Sequence, residues 1–153
     1  MTFNDSIAWL VENLPKYQPL QDYAQEHFDR VFTVTRKFKP RDQLQPADLP
    51  LIMVTRPKVA KTYKTGARDG SHTISLYVGF FQPDEENEDA LEKAQIHTVR
   101  IEELIDDFFM ANYNLGSTVQ EAMPTTSEND EGFFHPVYFN RMDVIVNHRR
   151  STL

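Results

Sequence analysis

The segment that decides the fold is LPLIMVTRPKVAKTYKTGAR, residues 49–68, because it joins two kinds of sequence. Residues 51–55 form a continuous apolar run between prolines, a pattern that predicts a strand buried on both faces. The residues after this run carry only positive charge, although the whole chain has a net charge of −7. The charged residues of this basic arm are Arg56, Lys58, Lys61, Lys64 and Arg68.

The next segment, HTISLYVGFFQ at residues 72–82, alternates between apolar and polar side chains. This alternation predicts a second strand with one buried face. Between the two strands, Asp69-Gly70 is the strongest turn signal in the chain. We therefore expect a long hairpin whose basic arm, residues 56–70, projects beyond the sheet.

Helical patterns lie on both sides of this hairpin. Residues 4–29 contain a capping cluster and apolar residues at helical spacing, which predicts a helical N-terminal segment with a second short helix at 19–29. Residues 84–113 give the strongest helix signal, with acidic residues crowded at its start, where the helix dipole favours them. Its solvent-facing side is predicted to carry an acidic surface. The residues of that surface are Glu92, Glu103, Asp106 and Asp107.

Three further segments complete the predicted architecture. Residues 31–38 are expected to form an edge strand, residues 135–149 a closing strand, and residues 112–134 a mobile, turn-rich loop. The predicted order is α-β-β-β-α-β, with the first helical element doubled. We expect one α+β domain over residues 1–153, with helices packed on one face of a mainly antiparallel sheet of about four strands.

Composition excludes several classes of function. The chain has 153 residues and no cysteine, which excludes disulfides, thiolate metal sites and thiol nucleophiles. No run approaches eighteen apolar residues, so we expect no membrane span. The acidic total disfavours nucleic-acid binding. Charge is nevertheless segregated: residues 30–68 hold ten basic and two acidic residues, whereas residues 84–107 hold ten acidic and two basic residues.

Motifs for catalysis or for cofactor binding are missing from the sequence. The five histidines are scattered, and none has the spacing of a helical zinc motif. No nucleophile elbow, phosphate-binding loop or dinucleotide fingerprint occurs. The carboxylates at 102–107 are better interpreted as a solvated helix face than as a catalytic cluster. We therefore expect no catalytic residue, no cofactor and no metal.

The order of segments resembles the tail terminator (tail completion, minor tail) proteins of long-tailed phages and prophages. The resemblance covers residues 48–149 and lies in DLPLIMVTRP, HTISLYVGFFQP, DALEKAQIHTVRIEELI and HPVYFNRMDVIVNHR, in that order. The helix at 19–29 and the polar loop depart from the family pattern. The resemblance implies a structural protein without an active site, found in the host cytoplasm during assembly and then in the virion tail. It implies a ring, commonly a hexamer, that ends the tail tube and meets the head connector.

The resemblance also suggests a use for the basic arm. A ring needs an interface in which one patch of each subunit meets a different patch of the next, and the basic arm and the acidic helix are complementary in this sense. The arm could instead line the ring, or meet the tail tube or passing DNA. Other readings of the chain are a small cytosolic adaptor that binds another protein, a different neck or connector component, and a metal-dependent hydrolase.

Overall fold

The computed structural model describes residues 3–64, 67–84, 89–130 and 132–151. Side chains are described at these residues except at 3, 41, 56–64, 67–70 and 148–151. In the described residues the chain forms three α-helices and one five-stranded mixed sheet. The predicted α+β class is confirmed, while the sheet differs from the expected one in strand number and in one pairing.

The helices lie close to where their periodicity predicts them. Helix α1 is Phe3–Asn13, α2 is Gln18–Phe28, and α3 is Ala90–Ala111. Pro15 lies in the short 3₁₀ turn between α1 and α2, because its ring does not fit a helix interior. Helix α3 begins later than residue 84, since the Asp89 carboxylate accepts a hydrogen bond from the Leu91 backbone N–H and caps the helix there.

The sheet has the strand order β1-β2-β3-β5-β4. Its five strands are β1 Thr33–Thr35, β2 Leu51–Lys64, β3 Ala67–Phe81, β4 Glu121–Asn129 and β5 Val137–Ser151. The predicted hairpin is confirmed, because β2 and β3 pair antiparallel from Leu51 opposite Gly79 to Lys64 opposite Ala67. β1 is an edge strand as expected, but it runs parallel to β2 rather than antiparallel.

Two local predictions are wrong. The segment 112–134 contains the edge strand β4 rather than one continuous loop. The sequence of β4 shows no strand pattern, because the strand is mostly polar and buries only Ala122. Its register with β5 also shifts after Pro124. The Asp69-Gly70 pair lies inside β3, where neighbouring strands on both sides override its local turn preference. The chain reverses between Lys64 and Ala67 instead.

The main core lies between the three helices and one face of the sheet. Strand residues such as Ile52, Ile74 and Val144 face buried residues of the helices, including Leu10 of α1 and Ile105 of α3. A smaller apolar cluster covers part of the opposite face. That second cluster consists of Leu44, Leu49, Leu51, Met53 and Phe139. The sequence pattern correctly predicts the helices on one face, and residues 39–50 supply part of the cover of the other.

Among the described residues, no helix has the length and apolar character that a membrane crossing requires.

Candidate interaction surfaces

The outward side of α3 carries both acidic and apolar residues. Helical geometry places residues three and four apart on one side of a helix. The predicted acidic residues Glu92, Glu103, Asp106 and Asp107 are all exposed and follow this spacing. We call these four residues the acidic face of α3. The opposite side of the helix is buried against the sheet, so this face is the one that α3 offers to solvent or to a partner.

Exposed apolar residues lie between and beyond these carboxylates on the same side of the helix, and sequence analysis did not single them out. Ile96 is 62% exposed, Val99 55% and Met110 78%. Their spacing is three to four residues, or multiples of it, from Glu92 and Glu103, so they share the same side of the helix. We call them the apolar stripe of α3. Ile96 and Val99 are neighbours on this side, and Met110 lies three turns further along the helix. Exposed apolar residues framed by charge are typical of a protein–protein contact surface.

Most of the negative charge on α3 has no described basic partner. Arg100 pairs with Glu103 at 3.1 Å, and both side chains are at least half exposed. An exposed pair of this kind contributes about 0–1 kcal/mol. In the described part of the chain, no salt bridge reaches Asp106 or Asp107. Among the described residues, Asp106 and Asp107 therefore keep charge that no basic side chain neutralises.

A small cleft lies between α3 and the edge strand β4, beside the acidic face. Its volume is about 120 Å³. The Glu102 carboxylate lines it and accepts a hydrogen bond from the Asn140 amide of β5. Partial burial raises the pKa of Asp106, and the carboxylates of Glu102, Asp107 and Glu103 raise it further. This mutual repulsion would be relieved by a cation or a basic side chain. The cleft is lined by Glu102, Asp106, Pro124, Thr125, Thr126, Ser127 and Met142.

The acidic group on the other face of the sheet differs, because a basic residue of the same chain lies beside it. The Asp143 carboxylate accepts a hydrogen bond of 2.6 Å from the Ser75 hydroxyl and lies 3.4 Å from Arg141. Arg141 in turn lies 3.4 Å from Glu128 of the neighbouring strand. The pKa of Arg141 is raised, chiefly by the Asp143 carboxylate. This network ties β3, β4 and β5 together.

The basic arm is formed by the outer parts of β2 and β3. The side chains of Arg56, Lys58, Lys61, Lys64 and Arg68 lie outside those that the structure describes, so their contacts are not assigned. The backbone register places the arm residues on two paired strands, with Lys61 opposite Gly70 and Tyr63 opposite Arg68. The structure therefore brings the five predicted residues together on one hairpin.

A cluster of histidine and tyrosine between α2 and α3 was not predicted, because its members are far apart in sequence. The Tyr23 hydroxyl lies 2.6 Å from Nδ1 of His97, and the His27 ring lies 5.0 Å from the His97 ring. Burial, with smaller contributions from His27 and Lys93, lowers the pKa of His97 from 6.5 to about 4. The rings of Phe28 and Phe80 close the cluster, so it joins the two helices rather than forming an open site.

The described residues give no support for a metal site. Among the residues that the structure describes, no three His, Asp or Glu side chains converge as a metal site requires. His135 lies 3.2 Å from Asp84 and 2.6 Å from the Tyr138 hydroxyl, which is a pair of local contacts within one end of the sheet.

Comparison of the chain with models of known families finds no match, and comparison with curated proteins finds no significant relative.

Proposed function

We propose that the chain is a structural protein similar to the tail terminators of long-tailed phages and prophages. In this proposal it forms a ring, most simply a hexamer, that caps the tail tube and joins it to the head connector. It assembles in the host cytoplasm and then resides in the virion tail. The order of segments along residues 48–149 supports the family, and the surface of α3 supports self-association.

The observation that carries the proposal is the pairing of two unlike surfaces on one chain. The acidic face and apolar stripe of α3 lie on one element, whereas the basic arm lies on the β2–β3 hairpin. A ring requires such a heterologous contact, in which each subunit offers one patch to one neighbour and the other patch to the next. The basic arm of one subunit would meet the acidic face of its neighbour.

The two kinds of contact have different roles in this interface. Exposed ion pairs contribute about 0–1 kcal/mol each, so they mainly set orientation and speed association. Full burial of an aliphatic side chain contributes about 1.5–3 kcal/mol. Ile96, Val99 and Met110 are therefore expected to supply most of the affinity, while the charges select the correct partner surface.

The test of the ring is the mass of the full chain in solution, measured by light scattering on a sizing column at low and at high salt. A mass near six subunits at low salt is expected. Salt should weaken the ring through screening of the arm and the acidic face, without removing the contribution of the apolar stripe. A monomer at every concentration and salt would contradict self-association and favour an adaptor that binds a different protein.

The contribution of the basic arm is tested by the triple variant Arg56→Glu, Lys58→Glu and Lys61→Glu. Charge reversal should place like charges across the interface, so we expect the oligomer to dissociate at low salt. The matched control changes three exposed basic residues outside the arm, and it should keep the wild-type mass. An intact oligomer in the arm variant would show that the arm is not an interface between subunits. The control variant is Lys16→Glu, Arg36→Glu and Lys37→Glu.

A further inference from the structure

One side of β4 forms a wall of the cleft beside α3. β4 is an end strand of the described sheet, with β5 as its neighbour. The Asp130 backbone N–H donates to the Phe139 carbonyl of β5, and the direction of these groups alternates along an antiparallel strand. The backbone N–H and C=O of Ser127 therefore face away from β5. Ser127 also lines the cleft, so the cleft lies along a strand edge that no other strand of the described sheet covers.

Only the second half of this edge can accept another strand. The Ala122 N–H already donates to the Tyr113 carbonyl that follows α3, and Pro124 has no N–H to offer. Pairing can therefore continue only along residues 125–129, which we call the open edge of β4. A stretch this short suits one extended peptide segment, which binds a strand edge through main-chain hydrogen bonds.

The wall of the cleft opposite this edge is acidic. The Glu102 carboxylate is held in place there, because the buried Asn140 amide donates a hydrogen bond to it. Asp106 lies about one turn further along α3 and lines the same cleft. Among the described residues, no lysine or arginine pairs with either carboxylate. A segment added to β4 would point alternate side chains towards α3, where a basic side chain would meet both carboxylates.

We propose that the open edge of β4 binds an extended segment of another protein, and that a lysine or arginine of this segment occupies the cleft between Glu102 and Asp106. Main-chain hydrogen bonds supply affinity, and the two carboxylates select the basic side chain. The inference goes beyond the proposed function, because this contact uses neither the basic arm nor the apolar stripe of α3.

Fluorescence anisotropy with two labelled seven-residue peptides tests the proposal. Both peptides alternate threonine and valine, and their central residue is arginine in one and glutamate in the other. At low salt the arginine peptide should bind the full chain roughly tenfold more tightly, because a glutamate would meet like charges in the cleft.

A matched pair of variants tests the acidic wall. Glu102→Gln keeps the shape of the side chain and removes its charge, so it should weaken binding of the arginine peptide roughly fivefold. Glu12→Gln removes the same charge on α1, where the side chain is 70% exposed and lies outside the cleft. This control should bind the arginine peptide as the wild type does.

Ser127→Pro tests the strand edge separately. The substitution removes the N–H that faces the added segment and leaves the pairing of β4 with β5 in place, because this N–H faces away from β5. We expect roughly tenfold weaker binding of the arginine peptide. Circular dichroism checks the fold, and if this variant does not fold, the comparison of Glu102→Gln with Glu12→Gln decides alone.

The outcomes separate this inference from the proposed function. Equal binding of the two peptides, binding of neither, or normal binding by either folded cleft variant would overturn the inference. A changed oligomeric mass in folded Ser127→Pro would make the edge a contact between copies of the chain, and this too would refute it. A monomeric wild-type chain that binds the arginine peptide with the expected selectivity would refute the ring and support the inference.

Discussion

His97 is a buried histidine whose pKa is strongly lowered, and its environment explains why. It is only 4% exposed, on the core side of α3, and Nδ1 lies 2.6 Å from the Tyr23 hydroxyl of α2. Burial raises the pKa of that hydroxyl, so Tyr23 stays protonated and shares a hydrogen bond with the neutral ring. The resulting hydrogen bond joins α2 to α3 at a point where a charged imidazole would be unfavourable.

Because of His97, the free energy of unfolding should therefore decrease as the pH is lowered. The pKa of His97 is about 4 in the folded chain and 6.5 as its ordinary value, so the folded form resists protonation. The contribution is complete above pH 6.5 and is lost as pH falls from 6.5 towards 4. Between pH 7.5 and pH 5 we expect a loss of about 2 kcal/mol in the free energy of unfolding, measured by urea titration at both pH values.

Two variants test whether His97 causes this pH dependence of stability. In His97→Gln the loss between pH 7.5 and pH 5 should shrink by most of this amount, because glutamine does not titrate. In Tyr23→Phe the loss should persist, because His97 remains buried, although stability at pH 7.5 falls by about 1–3 kcal/mol with an unpaired ring nitrogen. The same slope in His97→Gln as in the wild type would assign the effect to other groups.

Sequence reasoning could not find this pair. Tyr23 and His97 are 74 positions apart, and neither belongs to a motif with fixed spacing. The apolar periodicity of α3 identified its buried side from residues such as Ala94 and Ile101, and His97 lies on that side. A buried histidine therefore could be suspected from the periodicity, but its partner depends on how α2 packs on α3, which no local pattern specifies.

The turn after α3 packs tightly on α1 and depends on a single glycine. Leu115, Gly116 and Ser117 all have positive φ, and Leu115 is fully buried. A Cβ atom on Gly116 would lie 2.6 Å from Cδ1 of Trp9, well inside van der Waals contact. The absence of a side chain at residue 116 is therefore what lets this turn approach the Trp9 ring, which itself packs near Phe108 of α3.

We expect Gly116→Ala to cost about 2–4 kcal/mol in the free energy of unfolding, from strained backbone and displaced packing together. Gly132→Ala is the matched control. Gly132 also has positive φ, but its nearest side-chain neighbours are 3.2 Å from the added Cβ, so the cost should be about 1–2 kcal/mol. Chemical denaturation of both variants at neutral pH gives the comparison, and equal costs would show that Trp9 yields without penalty.

The strands that could be predicted from the sequence are those whose residues show the pattern of a buried face. The apolar run at 51–55 and the alternation at 72–82 identified β2 and β3, because both strands have a buried face. β4 lacks such a pattern, since it is an edge strand interrupted at Pro124. The parallel pairing of β1 with β2 involves three residues and depends on the path of the chain between them, which local sequence does not reveal.

For the whole molecule, the apolar stripe of α3 gives a prediction independent of charge. Changing Ile96, Val99 and Met110 to Ser should leave the stability of the monomer nearly unchanged, because all three are exposed. Self-association should weaken roughly a hundredfold, on the basis of about 1 kcal/mol for each partly buried side chain. Light scattering over a dilution series, at low and at high salt, measures the change.

The control replaces exposed apolar residues elsewhere on the surface. Phe38→Ser, Met123→Ser and Phe133→Ser remove three large side chains that are at least half exposed but do not lie on α3. This variant should keep the wild-type mass. If it dissociates while the α3 variant remains assembled, the contact surface lies elsewhere on the molecule and the interface proposed here is incorrect.

For the candidate surfaces too, the sequence predicts residues that follow a local pattern but not those that only the fold brings together. The acidic residues of α3 could be predicted from helical spacing, and the basic residues of the hairpin from their run along the chain. The cleft beside α3 could not be predicted from sequence, because Glu102 and Ser127 come together only through the position of β4 beside that helix. The apolar stripe was missed because single aliphatic residues on a helix surface are ordinary until their neighbours are known.

The position of β5 within the sheet has a consequence for how the protein is made. β5 is the last of the five strands to be synthesised, yet it lies between β3 and β4 and pairs with both. Until residues 137–151 emerge, one edge of β3 and the whole of β4 lack the partner they have in the folded sheet, and unpaired strand edges are the usual starting points for aggregation. We therefore expect the sheet to close only after residues 137–151 have been synthesised. Because β3 and β5 are distant in sequence, this step should also be slow.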